Sequence, residues 1–115
     1  MSRLSLLAAF TLALPGAAFA QAPAPAGDAA AGAQKIEMCI GCHGIVGWRT
    51  AFPEVYKVPK LGGQHEAYIV RALQAYRAGE RSHPSMKAIA ATLSDKDIAD
   101  LAAYYSGALP KTASK

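Results

Sequence analysis

Residues 39–43 read Cys39-Ile40-Gly41-Cys42-His43, two soft sulfur donors followed directly by an imidazole. Four chemistries use such a group. In an oxidising compartment the two thiols can close a disulfide across a tight turn. As a redox dithiol they would need strand–helix–strand alternation around the pair, and none is visible. Structural zinc needs four ligands; His65 or His83 could complete a set, but neither stands at ligand-pair spacing. The fourth is covalent haem attachment, for which C-x-x-C-H is the signature. Each thiol adds to one vinyl group of the porphyrin, the two intervening residues set the span, and the adjacent histidine is brought beneath the iron. Behind an export signal in a small chain, this last reading is the strongest.

An iron held by His43 needs a sixth ligand. Thioether sulfur is a soft donor that favours ferrous iron and raises the potential. Met1 falls in the expected leader peptide, and Met38 adjoins Cys39, too close to reach the other face of a haem. Met86 lies about forty residues downstream of His43, after Pro84 and Ser85 in what reads as an irregular stretch. It is the expected axial ligand. His83, three residues earlier, is the rival, and a vacant sixth position is the other alternative. His65 reads as a surface or supporting group.

The elements that must position these residues are legible in outline. A chain of 115 residues makes one small domain. At 52% hydrophobic and 17% charged it is not a disordered chain. Arg3, the apolar run Leu4 to Leu14, the Pro15-Gly16 break and Ala18-Phe19-Ala20 form a leader peptide of residues 1–20. Export to a bacterial periplasm is therefore expected, with no permanent membrane anchor, since no apolar run reaches the roughly 18 residues a spanning helix needs. Residues 21–27 are an alanine- and proline-rich mobile leader, 28–108 the folded domain and 109–115 a tail. Asp28 caps a first helix running to Met38. Gly44 to Pro59 is a long loop, long enough to wrap something. Tyr68, Ile69, Ala72, Leu73 and Tyr76 share one face of a helix that Gly79 ends. Ser94 and Asp97 start the last helix, whose stripe is Ile98, Leu101, Ala102 and Tyr105. No strand alternation appears, so the fold class is all-α. The core is thin for a small exported domain, which usually gains help from a cofactor, metal or disulfide.

At Gly27-Asp28, Cys39 to Gly44, Pro59-Lys60-Leu61-Gly62-Gly63-Gln64, Met86 and Leu93-Ser94-Asp95 through Tyr105, the chain resembles the class I c-type cytochromes of the small bacterial single-haem kind. The resemblance implies three to four helices wrapped around one covalently attached haem c. It implies that the Pro59 carbonyl orients His43, that Leu61 packs on the haem edge, and that Gly32 lets the first helix cross the last at Leu101 and Tyr104. Where many relatives carry an aromatic residue four positions after that glycine, this chain has Ile36. Trp48 and Arg49 have no counterpart in the shared pattern. They are either hydrogen-bond partners of the haem propionates or an exposed loop pair.

The function expected is that of a periplasmic electron carrier, not an enzyme, working between redox protein partners. The alternatives are a cytochrome subunit of a periplasmic dehydrogenase complex, or a haem enzyme or gas sensor with a labile sixth ligand. The formal charge of +4, with Lys57, Lys60, Arg71, Arg77, Arg81 and Lys87 as candidates, would suit acidic docking surfaces on those partners. Nucleic acid is not expected, since no aromatic–basic pattern appears, and a monomer is. Mass spectrometry of the exported protein should find a mature chain starting at Gln21; retention of residues 1–20 would refute the leader reading.

Overall fold

The computed structural model describes residues 25–107. The expected leader peptide, the first part of the 21–27 segment and the 109–115 tail lie outside the described residues. The chain forms α1 (Ala29–Ala33), α2 (Glu37–His43), β1 (Arg49–Thr50), β2 (Tyr56–Lys57), α3 (Glu66–Ala78), α4 (Pro84–Ala91) and α5 (Asp95–Gly107). The described domain is thus helical apart from one small ladder. That ladder corrects the reading of Gly44–Pro59 as plain loop: β1 and β2 pair antiparallel, with Arg49 opposite Lys57 and Thr50 opposite Tyr56. Two residues per strand are too few for an alternation to show in sequence.

Asp28 caps α1 as expected, its carboxylate accepting from the Ala30 and Ala31 N–H groups. The helix does not run on to Met38, however. It breaks at Gln34–Ile36, where Gln34 and Lys35 bond back three residues to Ala31 and Gly32. Lys35 leaves the helix at this break and reaches Asp97 and Asp100 on α5 at 2.6 and 2.8 Å. A second correction concerns Met86, which is helical. His83 adopts an extended N-cap conformation and Pro84 opens α4. Proline suits that first position, where its missing N–H would have no partner anyway.

Ser94 and Asp97 form the reciprocal capping box that starts α5. The Ser94 N–H donates to Asp97 at 3.0 Å and the Asp97 N–H to Ser94 Oγ at 3.1 Å. All four residues of the expected stripe on α5 are buried, together with Ile69 of α3 and Leu93. Ile36, Leu61 and Tyr104 pack against this cluster while half-buried. Helix α5 is the centre of the domain, with α1 against one side and α3, which also carries α4, against another.

The α1–α5 crossing is a backbone contact. A Cβ on Gly32 would stand 2.1 Å from the Asp100 carbonyl oxygen and 2.8 Å from Tyr104 Cβ. The crossing partners are therefore Asp100 and Tyr104; Tyr104 was expected and the Asp100 backbone takes the place given to Leu101. Asp100 is fully buried yet well paired. Its Oδ1 accepts the Asp28 N–H at 2.8 Å and also Lys96, and its Oδ2 accepts Lys35.

Two outcomes follow. Gly32→Ala must push α1 off α5 and should cost at least about 2 kcal/mol, read as a lower denaturation midpoint; an unchanged midpoint would mean the crossing is not tight. Lys35 and Ser94 hold the Asp97 carboxyl at about 2, below its usual 3.8, and Lys35 and Lys96 hold Asp100 lower still. A carboxyl depressed by folding stabilises above its unfolded pKa and loses that contribution as pH falls through its folded value. Stability should therefore drop between about pH 4 and pH 2, and Lys35→Ala should shrink that drop in pH-dependent unfolding curves.

Candidate functional site

Cys39, Cys42 and His43 all lie in α2, Cys42 three and His43 four residues after Cys39, so they share a helix face. The two cysteines form no disulfide with each other. Cys39 is half-buried, and burial pushes its thiol up; Cys42 is exposed. All three side chains line one cleft, and so do Pro59, Leu61 and Met86. Six residues spread over nearly fifty positions are thereby brought to one surface.

The cleft explains a peculiarity of α3. Tyr68, Ile69, Ala72, Leu73 and Tyr76 form its expected apolar face, yet only Ile69 is buried and Tyr68 is half exposed. The whole face lines the cleft, and only part of it, at Ile69 and Leu73, packs on the core around α5. Ile89 of α4, Leu93, and Leu101 and Tyr105 of α5 continue the apolar wall. An apolar surface of this extent left to water costs free energy in proportion to its area, so it belongs against something flat and hydrophobic.

His43 is already oriented. Its Nδ1 lies 2.7 Å from the Pro59 carbonyl oxygen, which as acceptor selects the Nδ1–H tautomer and leaves Nε2 with its lone pair free. The Pro59–Gln64 segment is fixed in turn: the Gly63 N–H donates to the Tyr105 carbonyl at 2.9 Å and the Gln64 N–H to that of Leu61 at 3.1 Å. Met86 enters from the first turn of α4. The His83 ring also lines the cleft, but its Nδ1 accepts from the Met86 N–H at 3.5 Å, so it acts as the cap that starts Met86's helix. Met38 borders the cleft from the same helix as His43.

His65 is at the N-cap of α3, away from the cleft. Trp48 and Arg49 are not brought to it either. Trp48 remains partly exposed on the surface, and Arg49 is on β1 opposite Lys57. The ladder instead contributes Thr50 and Tyr56. Among the cleft residues that the sequence reading did not place in a site are Arg81, noted only as a docking charge, and Tyr105, noted only as core. Among the described residues no group of three or more His, Cys, Asp or Glu is placed to hold a bare metal ion.

The residues fit a haem. The walls are apolar, the two thiols and one imidazole share a helix face, and a thioether enters from a separate element. The Tyr105 hydroxyl is buried in the wall beside Cys39 with no hydrogen-bond partner of good geometry among the described residues, and desolvation raises its pKa well above the ordinary phenol value. An orphaned buried hydroxyl costs about 1–3 kcal/mol and marks a wall that is complete only with a further group in place.

Comparison with known proteins agrees. The Cytochrome c family model matches residues 29–107. The chain is 48% identical over 84 residues to cytochrome c-554(548) of Halomonas halodenitrificans, covering 70% of this chain and 96% of that one. It is 39% identical to cytochrome c4 of Pseudomonas aeruginosa, over 91% of this chain but only 48% of the relative. Reduced recombinant cytochrome c4 of Pseudomonas stutzeri superposes with a TM-score of 0.57 at 31% identity, covering 74% of this chain and 53% of that structure. The chain thus spans nearly all of the first relative and about half the length of the two cytochromes c4. A domain of this fold, with its C-x-x-C-H motif facing an apolar cleft, belongs to the cytochrome c family, whose members carry covalently bound haem c and transfer electrons.

Proposed function

We propose that this protein is a periplasmic single-haem electron carrier with His43 and Met86 as the axial ligands of the iron. The observation that carries the reading is the convergence of both side chains on one apolar cleft, with His43 turned by Pro59 so that only Nε2 remains to bind metal. Cys39 and Cys42 anchor the porphyrin by thioether bonds. When bound, the haem supplies a one-electron ferric–ferrous couple.

The chain's own residues set the terms of that couple. The Pro59 carbonyl holds the His43 proton on Nδ1 and strengthens the ligand. The Met86 sulfur, a soft donor, favours the ferrous state. Helix α3 and the Leu93–Leu101 wall exclude water and keep the ligands in place as the charge changes. With His43 and Met86 both committed, no open coordination position remains for a substrate, which supports a carrier rather than an enzyme. Among the described residues no helix is long and apolar enough to cross a membrane, in keeping with a protein that moves between partners.

The redox partners are proteins with acidic docking surfaces. Not every cation is available to them. Arg77 is spent on the Leu93 carbonyl at 3.0 Å and on Asp95 at 2.5 Å, where it ties α3 to the start of α5. Lys57, Lys60, Arg71 and Lys87 are exposed, or nearly so, and unpaired with carboxylates among the described residues.

Absorption spectra of the protein matured with haem test the ligand set. The reduced form should show the sharp bands of a low-spin c-type haem, and the oxidised form a weak red thioether-to-iron band. Met86→Ala should abolish that red band, lower the midpoint potential and admit carbon monoxide or cyanide rapidly. A high-spin native spectrum, or a red band that survives the substitution, would remove Met86 as ligand.

A further inference from the structure

The charge of the cleft is one-sided. Of the described residues that line it, Lys60 and Arg81 are cations, and no aspartate or glutamate is among them. The two cations differ in how they are held. Lys60 is exposed and makes no side-chain hydrogen bond or ion pair among the described residues. Arg81 is located by three separate contacts. At the end of α3, Gly79 takes a left-handed conformation (φ 83°), and the N–H groups of Glu80 and Arg81 both turn back to the Ala75 carbonyl, at 2.9 and 3.1 Å. This folds residue 81 against the last turn of the helix. Its guanidinium carbon then lies 4.7 Å from the Tyr76 ring centroid, and Nη1 donates to the Tyr68 hydroxyl at 3.3 Å.

None of these partners is an anion. Arg81 forms no salt bridge among the described residues, unlike Lys35, Arg77 and Lys96. Its Nε and Nη2 have no acceptor among the described residues, while the tyrosines hold the group at the cleft. Tyr56, Tyr76 and His83 line an adjoining groove with Arg81, and the one carboxylate there, Glu54, makes no ion pair with it. A planar guanidinium with free edge donors, stacked on an aromatic ring, is suited to bidentate pairing with a carboxylate.

We propose that Arg81, positioned by Tyr68 and Tyr76, is the pairing partner of a haem carboxylate and thereby raises the redox potential. The inference rests on the haem reading above and moves this role from Arg49, which lies outside the cleft. A fixed cation in the wall of the cleft would oppose the additional positive charge of the ferric state, and pairing would also neutralise a carboxylate that otherwise favours it.

The test uses haem-loaded Arg81→Gln, Arg81→Lys and Arg49→Gln proteins. Absorption spectra come first: loss of attached haem or of low-spin bands from the parent protein would count against the haem reading itself, separately from this one. Midpoint potential and the carboxylate bands of redox-difference infrared spectra follow. Arg81→Gln should lower the potential and shift a carboxylate band, Arg81→Lys should restore part of the potential while the band stays shifted, and Arg49→Gln should change neither. If Arg81→Gln fails to mature, the Arg81→Lys band shift still decides the matter. An unmoved carboxylate band in the Arg81 variants overturns the proposal even if the potential falls, because Arg81 would then act only as a distant charge. A band shift in Arg49→Gln instead would assign the pairing to Arg49 and overturn it equally.

Discussion

The apolar face of α3 is only partly covered by α5 and otherwise meets a cleft, and the rest of the architecture depends on what fills it. Helix α3 presents five apolar or aromatic residues there, and α4 and α5 add Ile89, Leu93, Leu101 and Tyr105. A domain this small buries too little surface of its own to be secure. Here the missing share is concentrated in one place, where a covalently held haem acts as the centre of the core as well as the redox group. Cofactor binding and folding stability are then the same interaction viewed from two sides.

What the cleft needs in return is a rigid frame behind it. The α1–α5 crossing provides this by two unlike means. Gly32 removes the side chain that would keep two backbones apart, and buried Asp100 collects one N–H and two ammonium groups across the seam. Buried charge is costly unless all its partners are present, so this cluster tolerates one arrangement and resists others. The break after α1 serves the same end, because it releases Lys35 toward α5 before α2 delivers the cysteines and His43.

The two proposed axial ligands are independent of each other in the chain. His43 is aimed by Pro59, whose segment is tied to the end of α5 through Gly63 and Tyr105. Met86 is aimed by a proline-initiated helix with His83 as its cap. Neither ligand relies on the other for its orientation. That favours little rearrangement when the iron changes charge, and small rearrangement is what fast electron exchange requires. It also gives His83 a task that competes with binding iron itself.

Much of this was legible in sequence, because several signals are local. The C-x-x-C-H motif, the Asp28 cap, the Ser94–Asp97 box, the Gly79 stop and the α5 stripe each depend on residues within a turn or two of one another. Local backbone chemistry is enough to specify them. The misses have a different origin. The break at Gln34–Ile36 and the burial of Asp100 are set by a pairing between residues 35 and 100, which no window of sequence contains. The β1–β2 ladder is too short to leave a period, and Pro84 reads as a breaker until its place at a helix start is seen. Arg81 and Arg49 are indistinguishable as charges in a sequence. Only the fold, through the capping turn at Gly79, carries one to the cleft while β-pairing keeps the other out, because a side chain's role follows from where its backbone is anchored in space.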